Sequence, residues 1–136
     1  MSRILAIDYG QKRVGLAVTD SEQIIASGLT TVHAKDVLDY LKQYVANEKV
    51  SAFVVGEAKN LDNTPAESAR FIEPFVRRLR QTFPETPIHR VDERFTSKMA
   101  FQSMIDGGLK KKARQNKALV DEISATIILQ SYLASL

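Results

Sequence analysis

Acidic side chains stand at the ends of several apolar segments of this sequence. Asp8 directly follows the apolar residues 4–7 and has the same side-chain parity as Ile4 and Ala6 in the predicted strand. Glu57 ends a second apolar segment. A carboxylate this close to a packed core needs a cation, a metal ion or hydrogen-bond donors as its partner. The alternative for Asp8 is a turn-forming role, in which its side chain bonds to its own backbone.

Further acidic residues lie in the last third of the chain. Glu93 follows Asp92 at the end of a short predicted strand, and Asp121 lies in the first turn of the last predicted helix. Because Ala125 and Ile128 follow Asp121 at spacings of four and seven, we expect its carboxylate to face the packed side of this helix. The alternative for Asp92 and Glu93 is that both are exposed acids at the end of a strand. The alternative for Asp121 is that it is an acid at a helix start, where the helix dipole favours negative charge.

Acids at the ends of separate core elements can converge on one point. Three or four carboxylates at close range stay ionised only with a cation among them. Their hard oxygen atoms suit Mg²⁺ or Mn²⁺, and a metal pair held in this way can catalyse phosphodiester hydrolysis. The residues alone leave open whether Glu93, Asp92 or Glu57 would join Asp8 and Asp121.

The composition excludes several other chemistries. The chain has 136 residues, no cysteine and two histidines, so thiol nucleophiles, disulfides and cysteine-ligated metals are excluded. His33 and His89 are not spaced as a zinc-binding pair.

The length predicts one domain over residues 1–136. No apolar run reaches the roughly 18 residues of a membrane span, and the N-terminus lacks the pattern of a secretory signal. Because the chain has no cysteine, we expect a protein of the reducing cytoplasm.

The net charge of +3 is concentrated near the end of the chain. Residues 1–89 hold 11 basic and 11 acidic side chains, whereas residues 90–136 hold 8 basic and 5 acidic ones. A run of bases without an intervening acid comprises Lys110, Lys111, Lys112, Arg114 and Lys117. This run predicts a flap that contacts a nucleic-acid phosphate backbone, and the alternative is a solvated loop.

The apolar pattern predicts the elements that would position these residues. Strands are expected near residues 4–7, 14–19, 24–32, 50–56 and 88–92, the first three as an antiparallel meander. Helices are expected at 37–45, after a capping sequence at 64–67, at 96–105 and at 118–133. Together these elements predict an α/β fold with a mixed five-stranded sheet and helices on both faces.

Three ordered motifs resemble a known family. The segment from Asp8 to Ala17 matches D-x-G-x-x-R-x-G-x-A, the opening motif of the YqgF family. Residues 92–97 match its D-E-R segment with following hydroxyl residues, and the helix from Lys117 through Asp121 matches its C-terminal signature loosely. Members of this family are similar to Holliday-junction resolvases, have a ribonuclease-H-like fold and are classed as nucleases of pre-16S ribosomal RNA.

The resemblance implies roles for particular residues. Asp8, Glu93 and Asp121 would be the catalytic, metal-binding acids, with Mg²⁺ or Mn²⁺ as the cofactor, and Arg13 and Arg94 would lie near the phosphate. The implied activity is metal-dependent hydrolysis of phosphodiester bonds in 5′-end maturation of pre-16S ribosomal RNA. Nucleic acid and the ribosome are the implied partners, and the protein would be a monomer or a homodimer.

The chain departs from the family pattern after the fourth strand. The family usually has Gly-Leu-Pro there, whereas this sequence has Gly56-Glu57-Ala58. Glu57 is therefore either an additional metal ligand or a surface substitution.

Three other functions fit parts of the pattern. A non-catalytic nucleic-acid- or ribosome-binding module would keep the fold and bind RNA without metal-dependent turnover. A DNA Holliday-junction resolvase would need a dimer, because two strands must be cut symmetrically. The spacing D-x-G-x-x-x-x-G also resembles the phosphate loop of actin-like sugar and acetate kinases, but those enzymes need two such domains, and this chain supplies one.

Overall fold

The computed structural model describes residues 2–57, 69–92 and 117–136. The strands are β1 (Arg3–Tyr9), β2 (Arg13–Thr19), β3 (Ala26–His33), β4 (Val50–Glu57) and β5 (Ile88–Asp92). The helices are α1 (Val37–Asn47), which follows a 3-10 turn at Ala34–Asp36, then α2 (Ala69–Thr82) and α3 (Lys117–Ala134). The predicted capping sequence at 64–67, the predicted helix at 96–105 and the basic residues 110–116 lie outside the described residues.

The five strands form one mixed sheet in the order β3-β2-β1-β4-β5. β1 pairs antiparallel with β2, and β2 pairs antiparallel with β3. β4 lies parallel to both β1 and β5. The predicted meander and the predicted mixed five-stranded sheet are therefore confirmed.

The third strand begins at Ala26 rather than near residue 24. The turn before it is longer than predicted because Asp20 Oδ1 accepts the backbone N–H groups of both Ile24 and Ile25, at 2.8 and 2.9 Å. Gln23 takes a φ of 60° within this turn. Ile24 and Ile25 are consequently held outside the ladder and are 66% and 63% exposed.

Helices cover both faces of the sheet, as the sequence predicts. On one face, α1 and α2 pack against alternate residues of the central strands, and this cluster includes Leu5, Ile7, Leu16, Phe53, Val55, Leu41 and Phe75. On the other face, α3 packs against β1, β2 and β3. The cluster under α3, here called the α3 cluster, consists of Ile4, Ala6, Ala17, Val54, Ala125, Ile128 and Leu129. No helix within the described residues is long and apolar enough to cross a membrane.

Candidate active site

Asp8 lies near the carboxyl end of β1, on the face that α3 covers. Ile4 and Ala6 belong to the α3 cluster, and strand alternation puts Asp8 on the same face two residues further along. Its partner in the antiparallel ladder is Gly15. Asp8 is half-buried, so the apolar segment ends in a carboxylate at the rim of the core.

Asp121 reaches the same place from the helix. A Cβ atom on Gly15 would collide with the backbone carbonyl of Asp121 and would lie 3.0 Å from the nitrogen of Glu122. α3 therefore approaches β2 closely because residue 15 lacks a side chain. Since Gly15 is also the ladder partner of Asp8, the structure brings both predicted acids to one face at one end of the central strands.

Small side chains allow the helix to lie close to the sheet at this point. Ala6 and Ala17 are fully buried on the strands, and Ala125 and Ser124 are buried on α3. Ala125 and Ile128 belong to the α3 cluster, so the helical spacing placed Asp121 on the packed side correctly. This close packing fixes the backbone that carries the Asp121 carboxylate.

Arg13 forms an ion pair with Asp121. Its Nε donates a hydrogen bond to Oδ2 of Asp121 at 2.8 Å, and the two side chains are 40% and 24% exposed. Arg13 shares the parity of Gly15 and Ala17 in β2, which directs it to the face that α3 covers. The resemblance to the family implies a place at the site for both residues but does not pair them with each other.

Tyr9 anchors the end of β1 from the opposite face. Its ring stacks on Phe75 of α2 with 4.4 Å between centroids and an interplanar angle of 16°. Phe75 is fully buried. Asp8 therefore lies on a strand end that packs against α2 below and α3 above. The sequence pattern alone does not predict this role, although an aromatic residue beside Asp8 in the opening motif is a signal for it.

Several predicted site residues lie outside the described part of the chain. These residues are Glu93, Arg94, Lys110, Lys111, Lys112 and Arg114. Lys117 begins α3, and Glu57 and Asp92 are ladder partners at the ends of β4 and β5, but the structure describes only the backbone of these three.

Asp8 and Asp121 provide the donor chemistry that a hard divalent cation prefers. Within residues 2–57, 69–92 and 117–136, no group of three or more His, Asp or Glu side chains could hold a metal ion. The two carboxylates on the α3 face fit Mg²⁺ or Mn²⁺ as part of a larger set, to which the predicted Glu93 would belong. The histidines have other contacts: His33 Nδ1 accepts the N–H of Lys35, and the His89 ring stacks on Tyr132.

The fold is that of the ribonuclease-H-like class. The structure of Thermus thermophilus RuvC in complex with a Holliday junction substrate matches with a TM-score of 0.57 at 16% identity, covering 99% of this chain and 96% of that one. A second structure of Thermus thermophilus RuvC also matches with a TM-score of 0.57, at 17% identity, over 98% of this chain and 95% of that one. The predicted fold class is therefore confirmed.

Sequence comparison identifies the family. A family model described as RuvX, Holliday junction resolvase, matches residues 2–135, and the chain belongs to this family. A relative from Flavobacterium johnsoniae is 61% identical over 135 residues, which cover 99% of this chain and 98% of the relative. One from Phocaeicola vulgatus is 62% identical over 135 residues, which cover 99% and 97%. Both carry the name "Putative pre-16S rRNA nuclease", so the family expected from the motifs is confirmed.

Proposed function

We propose that this protein is a metal-dependent nuclease that hydrolyses phosphodiester bonds, and that its substrate is precursor 16S ribosomal RNA. The observation that carries the proposal is the placement of Asp8 and Asp121 on one face of the sheet, on either side of Gly15. Membership of the RuvX family supports phosphodiester cleavage. The names of the relatives that are about 60% identical support the RNA substrate.

The proposed metal ligands are Asp8, Asp121 and Glu93, and the proposed ion is Mg²⁺ or Mn²⁺. The choice of Glu93 over Asp92 and Glu57 follows from the family's D-E-R segment, which residues 92–97 match. A bound divalent ion would activate water and stabilise charge on the leaving oxygen.

Residues of the protein hold the two acids in position and place positive charge near the phosphodiester. The β1–β2 ladder holds the backbone of Asp8, and the contact of α3 with Gly15 holds that of Asp121. The guanidinium of Arg13 is partly exposed beside Asp121, so it would add positive charge where a phosphodiester approaches this acid. We assign Arg94 and the basic residues 110–117 to contacts with the phosphate backbone, since a run of bases without acids favours such contacts.

Cleavage of a DNA four-way junction is a second candidate. Two observations favour it: the family description names a Holliday junction resolvase, and the fold matches that of RuvC. This activity would require two copies of the chain, because both strands of the junction must be cut. A binding module without turnover is the remaining alternative.

A cleavage assay with both substrates tests these functions. Wild-type protein, Asp8→Asn and Asp121→Asn would be incubated with precursor 16S RNA and with a four-way DNA junction, with Mg²⁺ or with EDTA. Asp39→Asn is the matched control, because Asp39 is an exposed acid on α1. We expect RNA cleavage that requires Mg²⁺, survives Asp39→Asn and is lost in the other two variants. Preferential cutting of the junction would favour the second candidate, and metal-independent or absent cleavage of both substrates would overturn the proposal.

A further inference from the structure

Both ends of the ion pair between Arg13 and Asp121 have a fixed backbone. The carbonyl of Arg13 accepts the N–H of Gly10 at 2.9 Å, and Arg13 pairs with His33 in the β2–β3 ladder. The carbonyl of Asp121 lies against Gly15. The side chains thus join a hairpin to a helix that is 108 positions away in the sequence.

The geometry of the bond leaves donor and acceptor atoms for other partners. Arg13 uses Nε, which is one of the five N–H groups of a guanidinium. Asp121 accepts this hydrogen bond on Oδ2, and a carboxylate has a second oxygen atom that can bind another partner. Asp121 is the more buried member, at 24% exposed against 40% for Arg13. An ion pair of this kind holds both side chains in one geometry, so it restricts the rotamer of the Asp121 carboxylate.

We propose that Arg13 is a positioning residue, whose Nε hydrogen bond holds the Asp121 carboxylate in the orientation that binds the divalent ion. The inference rests on the proposed function, because it takes Asp121 as a metal ligand. It differs from a role for Arg13 in phosphate binding alone, in which Arg13 would not affect metal affinity in the absence of nucleic acid. Hydrogen-bond partners of metal ligands commonly act in this way, and their loss weakens metal affinity about 10–100-fold.

The direction in which cation affinity changes when Arg13 is removed distinguishes a positioning role from a purely electrostatic one. If Arg13 only placed a positive charge near the site, its removal would reduce repulsion and tighten cation binding. If Arg13 orients Asp121, its removal weakens binding. Lysine at position 13 keeps the charge but lacks the planar fork that bonds through Nε, so Arg13→Lys should also weaken binding.

Calorimetric titration of the nucleic-acid-free protein with Mn²⁺ measures this directly. We expect about 10–100-fold weaker binding for Arg13→Gln and for Arg13→Lys than for wild type. Lys12→Gln is the matched control: it removes a positive charge from the exposed neighbouring residue and should leave affinity unchanged or slightly tighter. Wild-type or tighter Mn²⁺ binding by Arg13→Gln would overturn the inference.

Two further variants separate this inference from the proposed function. If Asp8→Asn and Asp121→Asn lose Mn²⁺ binding while Arg13→Gln keeps it, the metal site stands and the positioning role fails. If Asp8→Asn and Asp121→Asn bind Mn²⁺ as wild type does, the metal site itself fails, and the positioning role fails with it. The thermal midpoint of each variant without metal reports whether it is folded.

An NMR measurement on wild-type protein does not depend on the folding of any variant. The Nε–H resonance of Arg13 should be shifted by the hydrogen bond to Asp121 and should keep that shift when Mg²⁺ is added. Loss of the shift on addition of Mg²⁺ would mean that the ion displaces Arg13 from Asp121, which would contradict the positioning role.

Discussion

The backbone carbonyl of Asp121 lies directly against Gly15, with no room for a Cβ between them. Gly15 is also the ladder partner of Asp8. One residue without a side chain therefore joins the strand that carries the first proposed ligand to the helix that carries the second. Asp8 and Gly15 are both positions of the opening motif, and their pairing in the ladder puts the Asp121 carbonyl next to the strand that carries Asp8.

A side chain at position 15 should displace α3 and with it Asp121. We expect Gly15→Ala to destabilise the protein by about 1–3 kcal/mol in urea unfolding, because backbone atoms of α3 cannot move aside without repacking. Mn²⁺ affinity should fall as well. Gly28→Ala is the control, because a Cβ there would meet the flexible side chain of Glu122, whose Cγ is 2.8 Å away. Equal destabilisation by the two substitutions would contradict the account.

The hydroxyl of Thr19 should stabilise the beginning of β1. Thr19 is fully buried, and its Oγ1 accepts the N–H of Ile4 at 2.9 Å, where the β1–β4 register is irregular. Thr19→Val keeps the shape but leaves that N–H without a partner, so it should cost about 1–3 kcal/mol of unfolding free energy. Thr19→Ser keeps the hydroxyl and should cost less. A valine variant as stable as the serine variant would show that the hydrogen bond contributes nothing.

The orientation of the two acids could be predicted because it depends on local periodicity. Strand alternation relates Asp8 to Ala6, and helical spacing relates Asp121 to Ala125, so each residue's side follows from its near neighbours. The pairing of Arg13 with Asp121 could not be predicted in this way. It depends on the β1–β2 register and on the docking of α3, which join residues 108 positions apart.

The start of β3 was mispredicted for a different physical reason. Ile24 and Ile25 are β-branched, which favours a strand. The carboxylate of Asp20 competes for their backbone N–H groups and draws both residues into the turn.

The choice of the third acid stays a prediction, because Glu93 and the side chains of Glu57 and Asp92 lie outside what the structure describes.

The turn at Asp20 should make the stability of the protein depend on pH. Hydrogen bonds from the N–H groups of Ile25 and Ile24 lower the pKa of Asp20 below its ordinary value of 3.8. A lowered pKa in the folded state contributes stability that is present above the pKa of the unfolded state and is lost as the pH falls through the folded value.

We therefore expect wild type to unfold at a higher temperature than Asp20→Asn near neutral pH. The difference should shrink as the pH falls below about 4 and vanish below the folded pKa. Thermal unfolding of both proteins across this range measures it. A difference that stays constant down to the lowest pH would exclude a contribution from the ionised carboxylate.

The basic segment should govern the salt dependence of nucleic-acid binding. Lys110→Ala with Lys111→Ala should reduce the slope of log Kd against log salt concentration by about 0.7 per lost phosphate contact on single-stranded RNA. Lys42→Ala with Lys49→Ala is the control, because it removes the same charge from exposed residues on and after α1. An unaltered slope in the first variant, or an equal reduction in the second, would exclude a specific role for the basic segment.

The most direct test of the account is whether Asp8 and Asp121 act as one catalytic unit. Single-turnover cleavage of precursor 16S RNA would be measured for Asp8→Asn, Asp121→Asn and the double variant. Each single variant should lose about 100-fold or more in rate, and the double variant should be no slower than the worse single variant, because groups that act together are not additive. Losses that multiply in the double variant, or wild-type cleavage by either single variant, would contradict a shared site.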